Sequence, residues 1–274
     1  MPLMTTTPNA AGSYDFTALG DESGELERLQ LQAQRSAQLE LQLLERMGLA
    51  DGQVVLDLAC GPGVISRLIA QAHPNSRVTA MDLNGELLAA AREEAATAGL
   101  ASIRFLQGDV YAPPLEQGQF DFIYARLLFQ HLEKPLQALE AIRALLKPGG
   151  VLCIFDIDDS WLTLVPEPEG FATFTTHAAR AQERRGGNRQ IGRQLGRLLE
   201  ESGYDPVDVH VETVTSRQLG MRAFLDITLG FKRLLLEGEE LEAARATLEA
   251  ADALVDDPRA WAFVGVFLAR GVRP

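Results

Sequence analysis

Short apolar runs alternate with amphipathic segments through the middle of the chain. Continuous apolar runs of five to seven residues predict strands over 54–59, 77–81, 103–107, 120–125 and 151–157. Apolar residues at three- and four-residue spacing predict the intervening helices over 64–72, 85–98 and 135–146. Strands that are apolar throughout are buried on both faces, and helices between them provide right-handed crossovers. The pattern therefore predicts an α/β domain with a mostly parallel sheet.

The two ends of the chain follow other patterns. A helical pattern begins at Glu22, with Ser23 as a possible N-cap, and Gly48 ends it. We expect a helical cap over 1–50 and one α/β domain over 51–274. Two irregular or helical insertions interrupt that domain at about 158–190 and 215–257, and two further strands are predicted at 207–214 and 261–269.

The charge of the chain bears on what it binds. Its 274 residues carry 38 acidic and 25 basic side chains, a net charge of −13. A surface this negative repels phosphate backbones, so we expect no nucleic-acid partner. The one candidate basic patch consists of Arg180, Arg184, Arg185, Arg189, Arg193 and Arg197. Such runs are more often solvated helix faces.

Composition also bears on location and metal content. Cys60 and Cys153 lack the spacing of metal ligands and lie in apolar contexts, as in proteins of a reducing cytoplasm. The first residues do not resemble a signal peptide, and no apolar run is long enough to cross a bilayer. We expect a soluble cytoplasmic protein, a monomer or homodimer, with no membrane partner and no metal.

The most informative segment follows the first predicted strand, in VVLDLACGPGVIS over 54–66. Gly61 and Gly63 allow the backbone to approach a ligand closely, and Asp57 lies at the strand tip. A dinucleotide fingerprint would require a third glycine where Ser66 stands. An acid before the loop opposes a pyrophosphate but suits a cationic amino acid. S-adenosylmethionine, which carries an ammonium and a sulfonium and no phosphate, therefore fits better than NAD.

Two more strands end in an acidic residue. Asp82, followed by Leu83, closes the second strand and can accept hydrogen bonds from ribose hydroxyls. Asp109 follows the third strand and can accept from an adenine amino group. Aspartate is a common turn former, which would explain any one of the three acids. Three at the ends of consecutive strands favour a nucleoside site.

These motifs together resemble the class I S-adenosylmethionine-dependent methyltransferases, in particular the bacterial small-molecule, natural-product group. The family's glycine motif matches DLACGPG over 57–63, with Ala59 in place of its first glycine. FDFIYARLLFQHLEKP over 120–135 matches the fourth strand and the loop after it, and LKPGGV over 146–151 matches the turn before the fifth. The resemblance implies cofactor contacts from Asp57, Ala59, Gly61, Gly63, Asp82, Leu83, Gly108, Asp109 and Val110.

The same resemblance implies a fold and an activity. The fold is a Rossmann-like seven-stranded, mostly parallel sheet with an antiparallel last strand, and helical cap and lid segments. Strands 207–214 and 261–269 supply its final hairpin. The activity is methyl transfer from S-adenosyl-L-methionine to a small molecule, in secondary metabolism, leaving S-adenosyl-L-homocysteine. The cap and the two insertions are where this family sets its acceptor specificity.

Several individual residues are candidates with an ordinary alternative. Arg126, Tyr14 and Gln34 are candidate cofactor contacts, the last two from the cap, although an arginine or glutamine on an exposed helix face is as common. His131 is the nearest candidate general base, against a locally packed helix-start residue. The insertion also carries aromatic residues and a histidine that either line an acceptor pocket or fill the core: Trp161, Phe171, Phe174 and His177.

The acceptor atom is not encoded in any residue, because a sulfonium donor is already activated and positioning provides most of the catalysis. Two other functions stay open. One is an NAD-type oxidoreductase, which Asp57 and Ser66 disfavour. The other is a methyltransferase-like protein that keeps the cofactor as a scaffold for another reaction or for binding alone.

Overall fold

The computed structural model describes residues 22–274, apart from several side chains between 22 and 36. The strands are β1 Val54–Leu58, β2 Arg77–Asp82, β3 Arg104–Gln107, β4 Phe120–Arg126, β5 Leu146–Ile157, β6 Thr163–Val165, β7 Val207–Thr215 and β8 Trp261–Val272. The helices are α1 Glu22–Arg46, α2 Val64–Ala72, α3 Gly85–Thr97, α4 Pro135–Leu145, α5 Phe171–Glu183, α6 Leu195–Glu201, α7 Ser216–Leu219, α8 Met221–Leu235 and α9 Gly238–Ala253.

The strands form one sheet in the order β3-β2-β1-β4-β5-β8-β7, and its first five strands are parallel. β8 runs antiparallel to both β5 and β7. Its residue Ala269 lies opposite Ile154 of β5 on one side and opposite Val209 of β7 on the other. This confirms the predicted Rossmann-like sheet. A short strand that the sequence did not predict, β6, extends the β5 edge by pairing with the start of β8.

Within the described part of the chain, three apolar clusters form the core. One lies on the α4–α6 side of the sheet and contains Phe120, Phe129 and Leu195, and a second lies under α1 and α2 and contains Leu44 and Phe122. The third is formed by α5, α8 and α9 with β6, and contains Phe174, Phe224 and Leu229. We call residues 158–191 and 216–260 the lid, because this third cluster lies beyond the ends of the parallel strands.

The differences from the sequence pattern are local. β5 begins at Leu146, so that the glycine turn lies within the strand, and β8 continues to Val272. α6 begins at Leu195, directly after a single 3-10 turn over Gly192–Gln194. Among residues 22–274, no helix is both long and apolar enough to cross a membrane.

Candidate functional site

A cavity of about 440 Å³ opens at the carboxyl ends of β1, β2 and β4 and continues beneath the lid. Parallel α/β sheets bind ligands at this edge, because the loops and helix N-termini meet there. The cavity brings together most of the residues that the sequence singled out: Asp57, Ala59, Gly61, Asp82, Leu83, Gly108, Asp109, Val110, Arg126 and His131 all line it.

The glycine loop between β1 and α2 is shaped by left-handed backbone conformations. Ala59, Gly61 and Gly63 have φ angles of 57°, 53° and 68°. A Cβ at Gly61 would meet no atom within 4 Å, whereas one at Gly63 would lie 2.9 Å from the Cβ of Ala91. Gly61 therefore exposes its backbone to the cavity. Gly63 does not line the cavity, and its hydrogen side chain lets the loop pack on α3.

Asp57 is buried at the tip of β1, and its Oδ2 accepts a hydrogen bond of 2.5 Å from the hydroxyl of Ser66. Ser66, which stands where a dinucleotide fingerprint would have its third glycine, thus ties α2 to β1. Burial raises the pKa of Asp57 to about 7, and the charge of Glu40 adds to this effect. A cationic ligand group beside Asp57 would stabilise its ionised form.

Asp82 holds the next loop and faces the same cavity. Its carboxylate accepts hydrogen bonds of 2.8 Å from the backbone N–H groups of Gly61 and Asn84. Burial raises its pKa. Asp109 accepts from the N–H of Tyr111 at 2.9 Å. Each carboxylate keeps acceptor capacity beyond these bonds, because an ionised carboxylate has about four lone-pair sites.

Arg126, at the end of β4, forms a buried ion pair with a residue of α1. Its Nε lies 3.0 Å from Oε2 of Glu40, whose side chain is 1% exposed, and Tyr124 donates to the other oxygen of Glu40 at 2.5 Å. Burial opposes the charge on Arg126, but Glu40, Tyr124 and Asp57 together outweigh this effect and raise the pKa of the guanidinium. The sequence pattern did not identify Glu40, which ties α1 to the sheet.

The two cap residues have different outcomes. Tyr14 lies outside the described residues. Gln34 is exposed and does not line the cavity. The adjacent residue, Ala33, is buried and lines the cavity instead. Successive helix residues are rotated by about 100°, which places the two on different faces of α1.

A buried cluster of three charged residues, which the sequence analysis did not predict, lines the lid side of the cavity. Asp159 follows β5, Arg189 lies after α5, and Lys232 lies in the last turn of α8. Asp159 accepts from Nε and Nη2 of Arg189 and lies 3.0 Å from the ammonium of Lys232. Arg189 lies 30 positions after Asp159, and Lys232 lies 43 positions after Arg189, so no local pattern connects them.

The charges within this cluster depend on one another. Burial favours a neutral carboxyl at Asp159, but Arg189 and Lys232 outweigh it and hold its pKa below the usual value. Burial lowers the pKa of Lys232 to about 8, and Arg189 adds to that effect. At pH 7 the cluster therefore contains one anion and two cations.

His131 is connected to this cluster through Gln182. The amide oxygen of Gln182 accepts from Arg189 at 2.8 Å, so its nitrogen is the group that faces Nδ1 of His131, at 3.3 Å. Nδ1 is therefore the acceptor, and the neutral ring carries its proton on Nε2. Burial, with the charges of Arg189 and Arg28, lowers the pKa of His131 to about 3. This geometry favours a hydrogen-bond donor over a general base.

Other residues of the lid have structural positions. Phe171 and Phe174 belong to the lid's own core, Trp161 packs edge-on against Phe267, and neither they nor His177 line the cavity. Phe224 and Phe231 of α8 line it instead. The arginine run does not form a basic face, because most of its members pair with acidic residues: Arg184 with Glu240, Arg185 with Glu237, Arg189 with Asp159, Arg193 with Asp158 and Arg197 with Glu201.

Comparison with known proteins assigns the central segment to one family. The family described as "Methyltransferase domain" matches residues 55–150. A malonyl-(acyl-carrier protein) O-methyltransferase of Paenibacillus sp. is 27% identical over 79% of this chain and 75% of its own length. An enzyme of the same name from Pectobacterium atrosepticum is 36% identical over 56% of this chain. This chain spans 52% of that enzyme, and less than two thirds of several other curated relatives.

Solved structures share the fold across most of the chain. Phosphoethanolamine N-methyltransferase 2 of Haemonchus contortus, in complex with phosphomonomethylethanolamine and S-adenosylhomocysteine, is 18% identical, with a TM-score of 0.61 over 95% of this chain and 60% of its own. The 4+2-cyclase SpnF is 21% identical, with a TM-score of 0.58 over 87% of this chain and 81% of its own.

Proposed function

Because this chain belongs to the class I S-adenosylmethionine-dependent methyltransferases, we propose that it methylates a small-molecule acceptor in secondary metabolism. The observation that carries the proposal is a single cavity with two chemically different ends. Acidic strand tips line one end, where a cationic nucleoside cofactor fits. Apolar side chains and the buried charged cluster line the other end. Relatives whose names give malonyl-(acyl-carrier protein) and trans-aconitate as substrates support acceptor methylation.

The residues at the acidic end fit S-adenosylmethionine, which would supply a methyl group already activated on a sulfonium. We assign the ribose hydroxyls to Asp82 and the adenine amino group to Asp109. Asp57, with its pKa of about 7, is placed for the cationic methionine portion. The exposed backbone of Gly61 lets the cofactor approach without a side chain between them. These residues bind and orient, and they transfer no proton.

We also propose that the N-terminal segment, residues 1–50, caps the cofactor. Among the described residues, Arg28, Leu29 and Ala33 of α1 line the cavity, and Glu40 holds the helix to Arg126 at its wall. A helix docked in this way excludes water from the reacting groups, which favours transfer to the acceptor over hydrolysis of the activated methyl group.

The test of the proposed function is cofactor binding followed by product detection. Isothermal titration should give saturable binding of S-adenosylmethionine and S-adenosylhomocysteine and none of NAD. Asp82→Ala should weaken that binding by roughly 1–3 kcal/mol, about ten- to hundredfold, because the ribose hydroxyls lose a charged acceptor. Asp51→Ala, an exposed change far from the cavity, is the control.

Turnover separates methyl transfer from the scaffold alternative. Release of S-adenosylhomocysteine in the presence of a methylated acceptor establishes the reaction. Tight cofactor binding with a converted substrate but no S-adenosylhomocysteine would instead identify a protein that uses the cofactor as a scaffold.

His131 is expected to position the acceptor through its Nε2–H, so its replacement should have a modest effect on rate. We expect His131→Asn to retain kcat within about tenfold and to leave the shape of the pH–rate profile between pH 5 and 8 unchanged. The reason is that a group with a pKa of about 3 stays neutral through that range. A hundredfold loss together with the disappearance of an ionisation near neutrality would establish His131 as the general base.

The same pKa predicts an effect on stability. The imidazole of the unfolded chain takes up a proton below about pH 6.5, whereas in the folded protein it does so only below about 3. Folding stability is therefore lost as the pH falls through this window, by up to about 1.4 kcal/mol per pH unit. Urea denaturation between pH 4 and 7 should show that the free energy of unfolding falls more steeply with decreasing pH in the wild type than in His131→Asn.

A further inference from the structure

We propose that the acceptor carries a carboxylate, and that Arg189 and Lys232 bind this group at the lid end of the cavity. The inference rests on the proposed function, whose acceptor it describes. It assigns the Asp159–Arg189–Lys232 cluster as the part of the site that selects an anionic acceptor.

The first argument is charge. Asp159 compensates one of the two cations, so the three side chains together carry a net charge of +1 inside a cavity wall. Lys232 is 1% exposed and Arg189 is 5% exposed, so water does little to offset this charge. A buried charge is costly unless it is paired. A monoanionic ligand group would complete the pairing, whereas a phosphate dianion would leave an excess of negative charge.

The second argument is hydrogen-bonding capacity. An ammonium has three donors, and within the described structure Lys232 uses two, toward Thr228 and Asp159. A guanidinium has five donors, and Arg189 uses three, toward Asp159 and Gln182. The unused donors belong to residues that line the cavity. Charge-assisted hydrogen bonds to a carboxylate are the strongest use of such donors.

The surrounding charges favour the same end of the cavity. Asp57, Asp82 and Asp109 line the cofactor end and repel a second anion there. Arg28 lines the cavity near His131, and its charge, like that of Arg189, lowers the pKa of the histidine. Asp156 also lies near Arg189, and its carboxylate accepts hydrogen bonds from the backbone N–H groups of Gln130 and Ile157.

The body of the acceptor is expected to be apolar. Apolar side chains of α7, α8 and β8 also line the cavity: Leu219, Phe224, Ile227, Phe231, Val264 and Val266. A ligand with an apolar body and one carboxylate therefore matches the cavity in both shape and charge.

The test compares acids with their uncharged amides as probes. Octanoate and octanamide, and 4-phenylbutyrate and 4-phenylbutanamide, are titrated into the protein with and without saturating S-adenosylhomocysteine. The wild type should bind each acid at least about tenfold more tightly than its amide. Lys232→Met leaves the neutral Asp159–Arg189 pair and should reduce this preference to about threefold or less, with amide binding unchanged. Lys232→Arg, which retains the charge, should preserve the preference.

Lys134→Met is the matched control, because Lys134 is exposed and does not line the cavity. It should leave the acid preference unchanged. The inference is overturned if the wild type binds no acid more tightly than its amide, or if Lys232→Met and Lys134→Met give the same preference as the wild type. Should S-adenosylhomocysteine fail to bind while the acids are preferred, the proposed methyl transfer fails and the carboxylate site stands. Should S-adenosylhomocysteine bind while acids and amides bind equally well, the carboxylate site fails and the proposed methyl transfer stands.

Discussion

Replacing Asp159 with Ala should lower the free energy of unfolding by about 3–5 kcal/mol, the range for breaking a buried ion pair by removing one partner. The substitution leaves Arg189 and Lys232 as two buried cations 43 residues apart in the chain, with no carboxylate between them. Urea denaturation followed by far-UV circular dichroism measures the change.

Two comparisons make this result specific. Glu242→Ala removes the partner of Arg245 in a pair whose side chains are 69% and 67% exposed, and should cost no more than about 1 kcal/mol. The double variant Asp159→Ala/Lys232→Met retains only one buried cation and should be more stable than Asp159→Ala alone. If Asp159→Ala and Glu242→Ala lower the free energy of unfolding by the same amount, the charged cluster is not desolvated in solution.

Glu40→Ala is expected to have an effect of similar size, about 3–5 kcal/mol, because it removes the carboxylate that pairs with Arg126 and accepts from Tyr124. It should also weaken the binding of S-adenosylhomocysteine, since α1 is joined to the cavity wall through this residue. Glu40→Gln keeps one acceptor oxygen, so it should lose less unfolding free energy and less affinity for S-adenosylhomocysteine than Glu40→Ala.

The control for Glu40 lies on the same helix. Arg46 joins the end of α1 to Glu212 of β7 through a pair whose side chains are 60% and 34% exposed. Arg46→Ala should cost no more than about 1 kcal/mol and leave cofactor affinity unchanged. A Glu40→Ala protein with unaltered cofactor affinity would contradict the assignment of α1 as a cap, whatever its stability.

The residues that meet at the proposed cofactor end could be predicted from the sequence, because the information that places them is local. Strand, glycine turn and helix follow one another within 54–72, and each acid lies within a few residues of the strand that positions it. The predicted helix over 64–72 and the observed α2 have the same bounds. The local pattern was less informative in α1, where Ala33 lines the cavity and Gln34, the predicted cofactor contact, is exposed.

The charged cluster at the proposed acceptor end was not predictable, because its contacts are distant in sequence. Arg189 stood in a run of six arginines, and nothing in the run distinguishes the buried member from its exposed neighbours. Lys232 lies among apolar residues of α8, where a lysine is usually read as a solvent-facing position. Their common partner, Asp159, follows a different element. Such pairings arise when the lid folds over the sheet, and only the tertiary structure records them.

The separation of the lid's hydrophobic core from the two clusters on the sheet has a consequence for how such proteins diversify. Phe174, Phe224 and Leu229 support α5, α8 and α9 without drawing on the side chains that hold the glycine loop. Changes more than about 7–10 Å apart, with no shared partners, add nearly independently in free energy. The region matched by the family also ends at residue 150, before the lid begins. The proposed binding of the acceptor under the lid therefore predicts that acceptor preference can be exchanged by altering the lid while the proposed nucleoside-binding half stays intact. Residues 158–191 and 216–260 are then the natural unit for chimeras between relatives.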